Sequence, residues 1–283
     1  MNLLIFGHGY STHAFVARYG DIFSHIFATT RSLEKKAQMQ GVTPLLFSEA
    51  HEALAQADVL LVSVPPDADS DPVLDLYDEQ MIESSVARIV YLSTVGVYGD
   101  HQGAWVNEDT PCVPVAERSQ ARLEAEQDWT ECVADMGAEL DILRLSGIYG
   151  PGRNALVNLR EGTARRIIKP GQVFNRIHVE DIADAIAACI ARGQPGRIYN
   201  VTDDEPAPPQ DVVEYAAQLL GLAPPPERDF ETTDMSPMAR SFYGENKRVS
   251  NARIKSELGF EFQYPTYREG LKGLLEMDPS LRA

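Results

Sequence analysis

The residues with the clearest chemical potential stand near the start of the chain. An apolar run, Leu3–Phe6, feeds into Gly7-His8-Gly9-Tyr10-Ser11-Thr12 and then a helical pattern through Tyr19. In a strand–turn–helix setting Gly7 permits a sharp turn, and Gly9 lets a phosphate approach the backbone. The helix behind them offers unpaired N–H groups and the positive end of its dipole. Gly7, Gly9, Tyr10, Ser11 and Thr12 are therefore candidate contacts for a dinucleotide. Thr12 stands where a third glycine would allow close helix–strand packing. A plain tight turn would use the same two glycines, so their place after the first strand carries the weight. His8 and His13 flank the turn without partner ligands and read as surface or phosphate-side residues. No metal site is expected.

The second apolar run, His25–Thr29, ends in Thr30-Arg31-Ser32. A carboxylate here would hydrogen-bond a free ribose 2′-hydroxyl and repel a 2′-phosphate. None occurs until Glu34. Arg31 can pair bidentately with a phosphate, and Ser32 can donate at a helix start. NADP is the expected cofactor and NAD the lesser option. Arg31 as a merely solvated charge is the competing reading.

These residues need a scaffold, and the pattern supplies one. Asp58–Val64 and Arg88–Ser93 are continuous β-branched runs of strand length, and Leu140–Leu145 reads as a further strand. Runs of this kind, apolar on both faces, suit a parallel sheet. Helical patterns separate them, with Ser32 as N-cap of a helix through Gln40 and a long one over Ser119–Met136. The alternation predicts a doubly wound α/β fold with right-handed crossovers. Val179–Ala191 reads as a helix with Ile182, Ile186 and Ile190 on one face and Gly193 as its stop. Val212, Tyr215, Ala216, Leu219 and Leu220 rebuild a helical stripe that Gly221 ends. Glu227–Gly244 has little periodicity and reads as a loop or mobile lid, and Ser250–Leu258 as a short helix closing on Gly259. We expect residues 1–150, with a return at 174–204, to form the dinucleotide-binding Rossmann domain. Residues 151–173 and 205–283 are expected to form a smaller C-terminal α/β substrate lobe.

Composition narrows the function. The 283 residues carry 42 acidic and 25 basic side chains, a formal net charge of −17. No basic surplus exists to neutralise a phosphate backbone, so a nucleic-acid partner is not expected. A compact anionic ligand needs only a local pocket and stays open. With 44% hydrophobic and 24% charged residues the composition is that of a globular protein. No run approaches the roughly 18 apolar residues of a membrane helix, and the first residues lack the basic region of a signal peptide. The odd count of three cysteines fits a reducing cytoplasm better than a disulfide framework.

Four further segments form a more specific pattern. They are Ser93-Thr94-Val95-Gly96-Val97-Tyr98-Gly99, Arg144-Leu145-Ser146-Gly147-Ile148-Tyr149-Gly150-Pro151-Gly152-Arg153, Arg176-Ile177-His178-Val179-Glu180-Asp181 and Ile198-Tyr199-Asn200-Val201-Thr202-Asp203. In this order and spacing the chain resembles the extended short-chain dehydrogenase/reductases, the group of nucleotide-sugar epimerases and dehydratases. The GHGYS turn looks like that of atypical members. The likeness runs nearly end to end, down to SNARIKSELGFEF. It implies that Thr94 hydrogen-bonds the substrate's carbonyl or hydroxyl, a strand-end cap being the alternative for that hydroxyl. It also implies that Pro65 and Pro66 pack beside the cofactor, and that Ser146, Gly147 and Tyr149 border the nicotinamide. His178 and Asp181 would be structural, tying the substrate lobe to the sheet, and Tyr98 and Tyr149 packing aromatics.

One departure stands out. Family enzymes carry a Tyr-x-x-x-Lys pair in which tyrosine transfers the proton and lysine lowers its pKa and holds the ribose. Aligning the trailing Ala125-Glu126 puts Arg118 in the tyrosine's place and Arg122 in the lysine's. Arg122 can still be a fixed cation at a ribose. Arg118 cannot donate a proton, because guanidinium stays protonated at ordinary pH. The first expectation is an NAD(P)-dependent oxidoreductase, epimerase or dehydratase for a hydroxylated or carbonyl, sugar-like or anionic small molecule, with Thr94, Arg118 and Arg122 at the substrate. The alternative is an NADP(H)-binding sensor or scaffold without hydride transfer. A third is an anion-binding enzyme that has lost the dinucleotide. Both arginines could also be ion-paired with Glu117, Glu124 or Glu126 on a solvated helix face. The sequence leaves oligomeric state open, a homodimer included.

Overall fold

A computed structural model describes residues 1–68, 70–192 and 195–282. The first half alternates strands and helices: β1 (Asn2–Phe6), α1 (Tyr10–Tyr19), β2 (His25–Thr30), α2 (Leu33–Gln38) and β3 (Thr43–Leu46). It continues with α3 (His51–Leu54), β4 (Val59–Val62), α4 (Pro72–Ile82) and β5 (Arg88–Thr94). A short strand β6 (Trp105–Val106) precedes the long helix α5 (Glu117–Met136), then β7 (Glu139–Leu145) and β8 (Gly147–Tyr149). After α6 (Ala155–Arg160) and β9 (Arg166–Ile168) come β10 (Arg176–His178), α7 (Val179–Arg192) and β11 (Ile198–Val201). The chain closes with α8 (Pro209–Leu220), β12 (Glu227–Asp229), α9 (Pro237–Phe242), β13 (Arg248–Val249), α10 (Ala252–Leu258) and α11 (Tyr267–Met277).

Seven strands form one parallel sheet in the order β11-β7-β5-β4-β1-β2-β3. The chain starts at β1, works out to β3, then returns to β4 and builds the other wing. Beside β1 the order therefore reverses, and open α/β sheets bind ligands at the strand C-termini of such a point. Strand β1 shows how its residues serve two cores. Leu3 and Ile5 pack on one face with Phe15 of α1, Ile182 and Ile186 of α7, and Ile254 and Leu258 of α10. Leu4 and Phe6 point the other way, to Leu54 of α3, Tyr77 and Met81 of α4, and Trp129 of α5. The two-residue period of a strand makes this division automatic. Trp129 also donates to Asp71, whose other oxygen caps α4 by accepting from Val73 N.

The doubly wound α/β expectation holds. Beyond the sheet, Tyr149, Leu156, Val212, Ala216, Tyr267, Leu271 and Leu274 form a separate cluster that packs α6, α8 and α11 together. Gly221 and Gly259 end their helices in the left-handed region, as their positions suggest. Gly193, read as the stop of α7, lies outside the described residues. Glu227–Gly244 differs from its reading as a loop. Strand β12 pairs in parallel with β9, and α9 follows with Ser236 accepting from Ala239 N. Elements of three and six residues are too short to show a period. Phe230 fixes them instead, its ring 5.1 Å from that of Tyr243 and 4.7 Å beneath the Arg240 guanidinium. Among the described residues no helix is long and apolar enough to cross a membrane, and the three cysteines are free thiols.

Candidate functional site

The glycine turn is shaped by two hydroxyls. Gly7 has φ +92°, a region that L side chains rarely adopt, and a β-carbon there would meet Val64 Cγ2 at 3.0 Å and Val64 N at 3.1 Å. Gly7 N donates to Thr29 Oγ1 at 3.1 Å. Buried Thr12 accepts from Gly9 N at 2.9 Å and donates to Gly7 O at 3.1 Å. The threonine in the third glycine's place thus locks the loop from beneath. Nothing lies within 4 Å of where a Gly9 β-carbon would sit, so the turn stays open at the start of α1. Helix geometry leaves the first N–H groups of α1 without carbonyl partners, and Gly9, Tyr10 and Ser11 line the adjoining cleft. An open backbone, free N–H groups and a helix N-terminus fit a pyrophosphate.

The cleft has a volume of about 1430 Å³, above the range of ordinary single-ligand pockets, about 300–1,000 Å³. It brings together Pro65, Pro66, Thr94, Arg118, Arg122 and Gly147 with the turn residues just named. Gly7 and Thr12 are not in its lining, and neither are Arg31 and Ser32. Arg31 is exposed at the end of β2, and Ser32 caps α2 by accepting from Lys35 N at 3.3 Å. The ring nitrogens of His8 are buried without partners among the described residues, and its ring lies 5.5 Å from that of His13, tilted by 56°. Among the described residues no group of side chains could hold a metal.

At the end of β5 the polar groups are tightly committed. Thr94 Oγ1 accepts from Gly96 N at 3.1 Å and caps a 3-10 turn over Val95–Tyr98. Ser93 donates to Glu126, which also takes a two-pronged pair from Arg144. Arg144 donates on to Tyr98 Oη at 3.0 Å, and Tyr98 to Asn200 Oδ1 at 2.8 Å. Burial pushes the Tyr98 phenol up to about 12. This chain of buried partners joins α5, β5, β7 and β11 directly below the cleft. It gives Tyr98 a hydrogen-bonded role in addition to packing.

Arg118 and Arg122 do not form the ion pairs that their acidic neighbours offered. Glu126 is occupied by Arg144. Arg122 turns inward: its Nη1 donates to Tyr91 Oη at 2.9 Å and Leu92 O at 3.2 Å, with Val64 O at 3.4 Å. It therefore ties the ends of β4 and β5 together. Arg118 reaches across the cleft to Ser241 Oγ at 3.1 Å and lies 4.8 Å over the Phe242 ring. The segment that read as a lid is an ordered roof. On the far side Arg153, Arg165 and Arg176 also line the cleft. Arg165 donates to Asp234 O at 3.3 Å, and Arg176 to Phe174 O at 2.9 Å and Ala207 O at 3.1 Å. Among the described residues none of these five arginines has a carboxylate within ion-pairing distance, although Arg88, Arg144, Arg166, Arg253 and Arg268 elsewhere all do.

Asp181 and His178 tie the C-terminal segment to α7. Asp181 accepts from Gln263 N at 2.6 Å and Tyr264 N at 3.2 Å, and burial raises its carboxyl to about 7 against the pull of those donors. His178 lies between the rings of Tyr149 and Tyr264, and its Nδ1 accepts from Glu180 N. Sequence reasoning missed Ser119, Arg153, Arg165 and Arg176 as lining residues. Their signal was weak, since isolated arginines on loops and short strands look like solvated charge.

Comparison with known proteins bears on the same segments. Residues 71–202 match the model of the NAD dependent epimerase/dehydratase family. Protein YeeZ of Escherichia coli (strain K12) is 32% identical over 267 residues, 84% of this chain and 86% of that protein. A functionally unknown conserved protein from Silicibacter pomeroyi is 48% identical, with a TM-score of 0.91 over 98% of both chains. The UDP-glucose 4-epimerase of Thermotoga maritima shares the fold, with a TM-score of 0.81 over 99% of each chain at 16% identity. The glycine turn, the seven-stranded parallel sheet and these relatives lead to one conclusion: the chain belongs to the NAD dependent epimerase/dehydratase family, within the extended short-chain dehydrogenase/reductases.

Proposed function

We propose that this protein is an enzyme that uses NADP(H) for hydride chemistry at a hydroxyl or carbonyl carbon of an anionic small molecule. The observation that carries the reading is the set of five cleft arginines without an ion-paired carboxylate among the described residues, in a chain of net charge −17. Guanidinium groups that line a concave site and are not ion-paired are suited to carboxylate or phosphate. In this reading Gly7, Gly9, Tyr10, Ser11 and Thr12 form or support the pyrophosphate cradle, and Pro65, Gly147 and Arg122 border the ribose and nicotinamide. The dinucleotide supplies the hydride when bound. The protein orients the substrate, excludes water beneath the roof and steadies charge on the reacting oxygen. Residues 1–150 and 174–204 hold the cofactor, while 151–173 and 205–283 supply the substrate half.

NADP is preferred over NAD because β2 ends in Arg31 with no carboxylate beside it. Removing one charge-assisted contact to the 2′-phosphate should weaken NADPH by about tenfold. Calorimetric titration of wild type and Arg31→Ala with NADPH and NADH tests this. Equal affinities, unaltered by the substitution, would leave Arg31 a solvated charge.

A second reading, a dinucleotide-binding sensor without turnover, is favoured by one feature. Arg118 stands where a proton-donating tyrosine belongs. Incubating the protein with NADPH and a panel of carboxylated and phosphorylated carbonyl compounds separates the two. Turnover with some member, lost in Arg176→Ala, supports the enzyme. Tight NADPH binding with no turnover across the panel supports the sensor.

A further inference from the structure

The missing tyrosine leaves a question of which group faces the substrate's reacting oxygen. Ser119 is the third residue of α5, one step past Arg118, and is only 4% exposed. It lines the cleft, and its hydroxyl makes no hydrogen bond among the described residues. A β-carbon on Gly96 would lie 2.8 Å from Ser119 Oγ and 3.4 Å from Thr94 Oγ1. The two hydroxyls therefore flank Gly96, and the bare glycine leaves Ser119 Oγ uncovered. Of the neighbouring hydroxyls, Ser93 donates to Glu126, whereas Thr94 Oγ1 accepts from Gly96 N and keeps its own proton free to donate beside Ser119. Arg122 follows three residues later, on the same side of the helix. The hydroxyl stands at the cleft wall, where a ligand can reach it.

We infer that Ser119 donates the hydrogen bond to the substrate's reacting oxygen, the task that the substitution at Arg118 vacates. This rests on the NADP-dependent reading above. In the reductive direction the carbonyl carbon receives a hydride from the reduced nicotinamide, and the C–O π pair moves onto oxygen. That oxygen takes the Ser119 hydroxyl proton. Ser119 regains a proton from a cleft water, and hydroxide leaves to solvent. Arg122 stabilises the charge while it passes.

The test uses the full chain. In Ser119→Cys the introduced thiol should be alkylated by iodoacetamide, read by peptide mass spectrometry, and saturating NADPH should slow this roughly tenfold or more by occupying the same space. A thiol that stays unmodified, or one that reacts equally fast with NADPH bound, overturns the role of Ser119. NADPH binding is measured in parallel by calorimetry. If no dinucleotide binds wild type, the NADP-dependent reading itself fails, and this inference with it. Should Ser119→Cys not fold, a crystal structure of wild type with NADPH decides. Ser119 Oγ bonded to a water in front of nicotinamide C4 supports the role, and Ser119 Oγ turned onto Ala116 O overturns it.

Discussion

Arg144→Met is expected to lower the free energy of unfolding by about 3–5 kcal/mol, the usual cost of stripping one partner from a buried ion pair. Arg144 and Glu126 are almost fully buried and meet at 2.7 Å. With arginine gone, the Glu126 carboxylate keeps only the Ser93 hydroxyl, and Tyr98 loses one of its two partners. The urea midpoint of unfolding should fall with little change in slope. Arg144→Met combined with Glu126→Leu should recover most of the loss, because no orphaned charge remains. A double variant as unstable as the single one would mean that the pair acts through packing rather than charge.

The second large effect is on the acid side. Burial pushes His178 down to about 4 from an ordinary 6.5. Its Nδ1 accepts from Glu180 N, so the folded ring is neutral. Unfolding frees it to bind a proton, and stability is therefore full above pH 6.5 and falls as pH drops toward 4. At about 1.4 kcal/mol per unit the loss is about 3 kcal/mol. Asp181 works in the opposite direction, since a carboxyl held near 7 favours folding when protonated. The difference between wild type and His178→Phe isolates the histidine. Relative to wild type, the variant should gain about 3 kcal/mol as pH falls from 6.5 to 4, after a fixed cost of about 1 kcal/mol for the lost acceptor. Parallel profiles would mean that the ring protonates in place.

The central fold was legible in the sequence because β1, β4 and β5 are covered on both faces, which leaves long apolar runs. Strand β3 has four residues at a sheet edge and includes Pro44, so its pattern is too short and too polar to register. Helix α4 was passed over although Asp71 and Pro72 form an N-cap followed by proline in the first turn. At the site, the glycine turn could be read because its chemistry is local. Arg122 could not, since the carbonyls that hold it belong to residues 30 and 58 positions away. Ser119 was hidden for a similar reason. Its importance depends on a missing side chain at Gly96, and no spacing rule links the two.

The two tryptophans sit in opposite settings, and this makes the molecule its own optical instrument. Trp129 is sealed between Tyr91 and the Asp71 carboxylate, while Trp105 is 61% exposed on β6, whose partner β13 begins next to Lys247 at the cleft. Emission from the indole at 129 should be blue-shifted and shift red only when the core opens. Emission from the one at 105 should be red already and open to quenching by iodide. A Trp105→Phe protein therefore reports unfolding alone, and Trp129→Phe reports events at the β6–β13 surface without disturbance from the core signal.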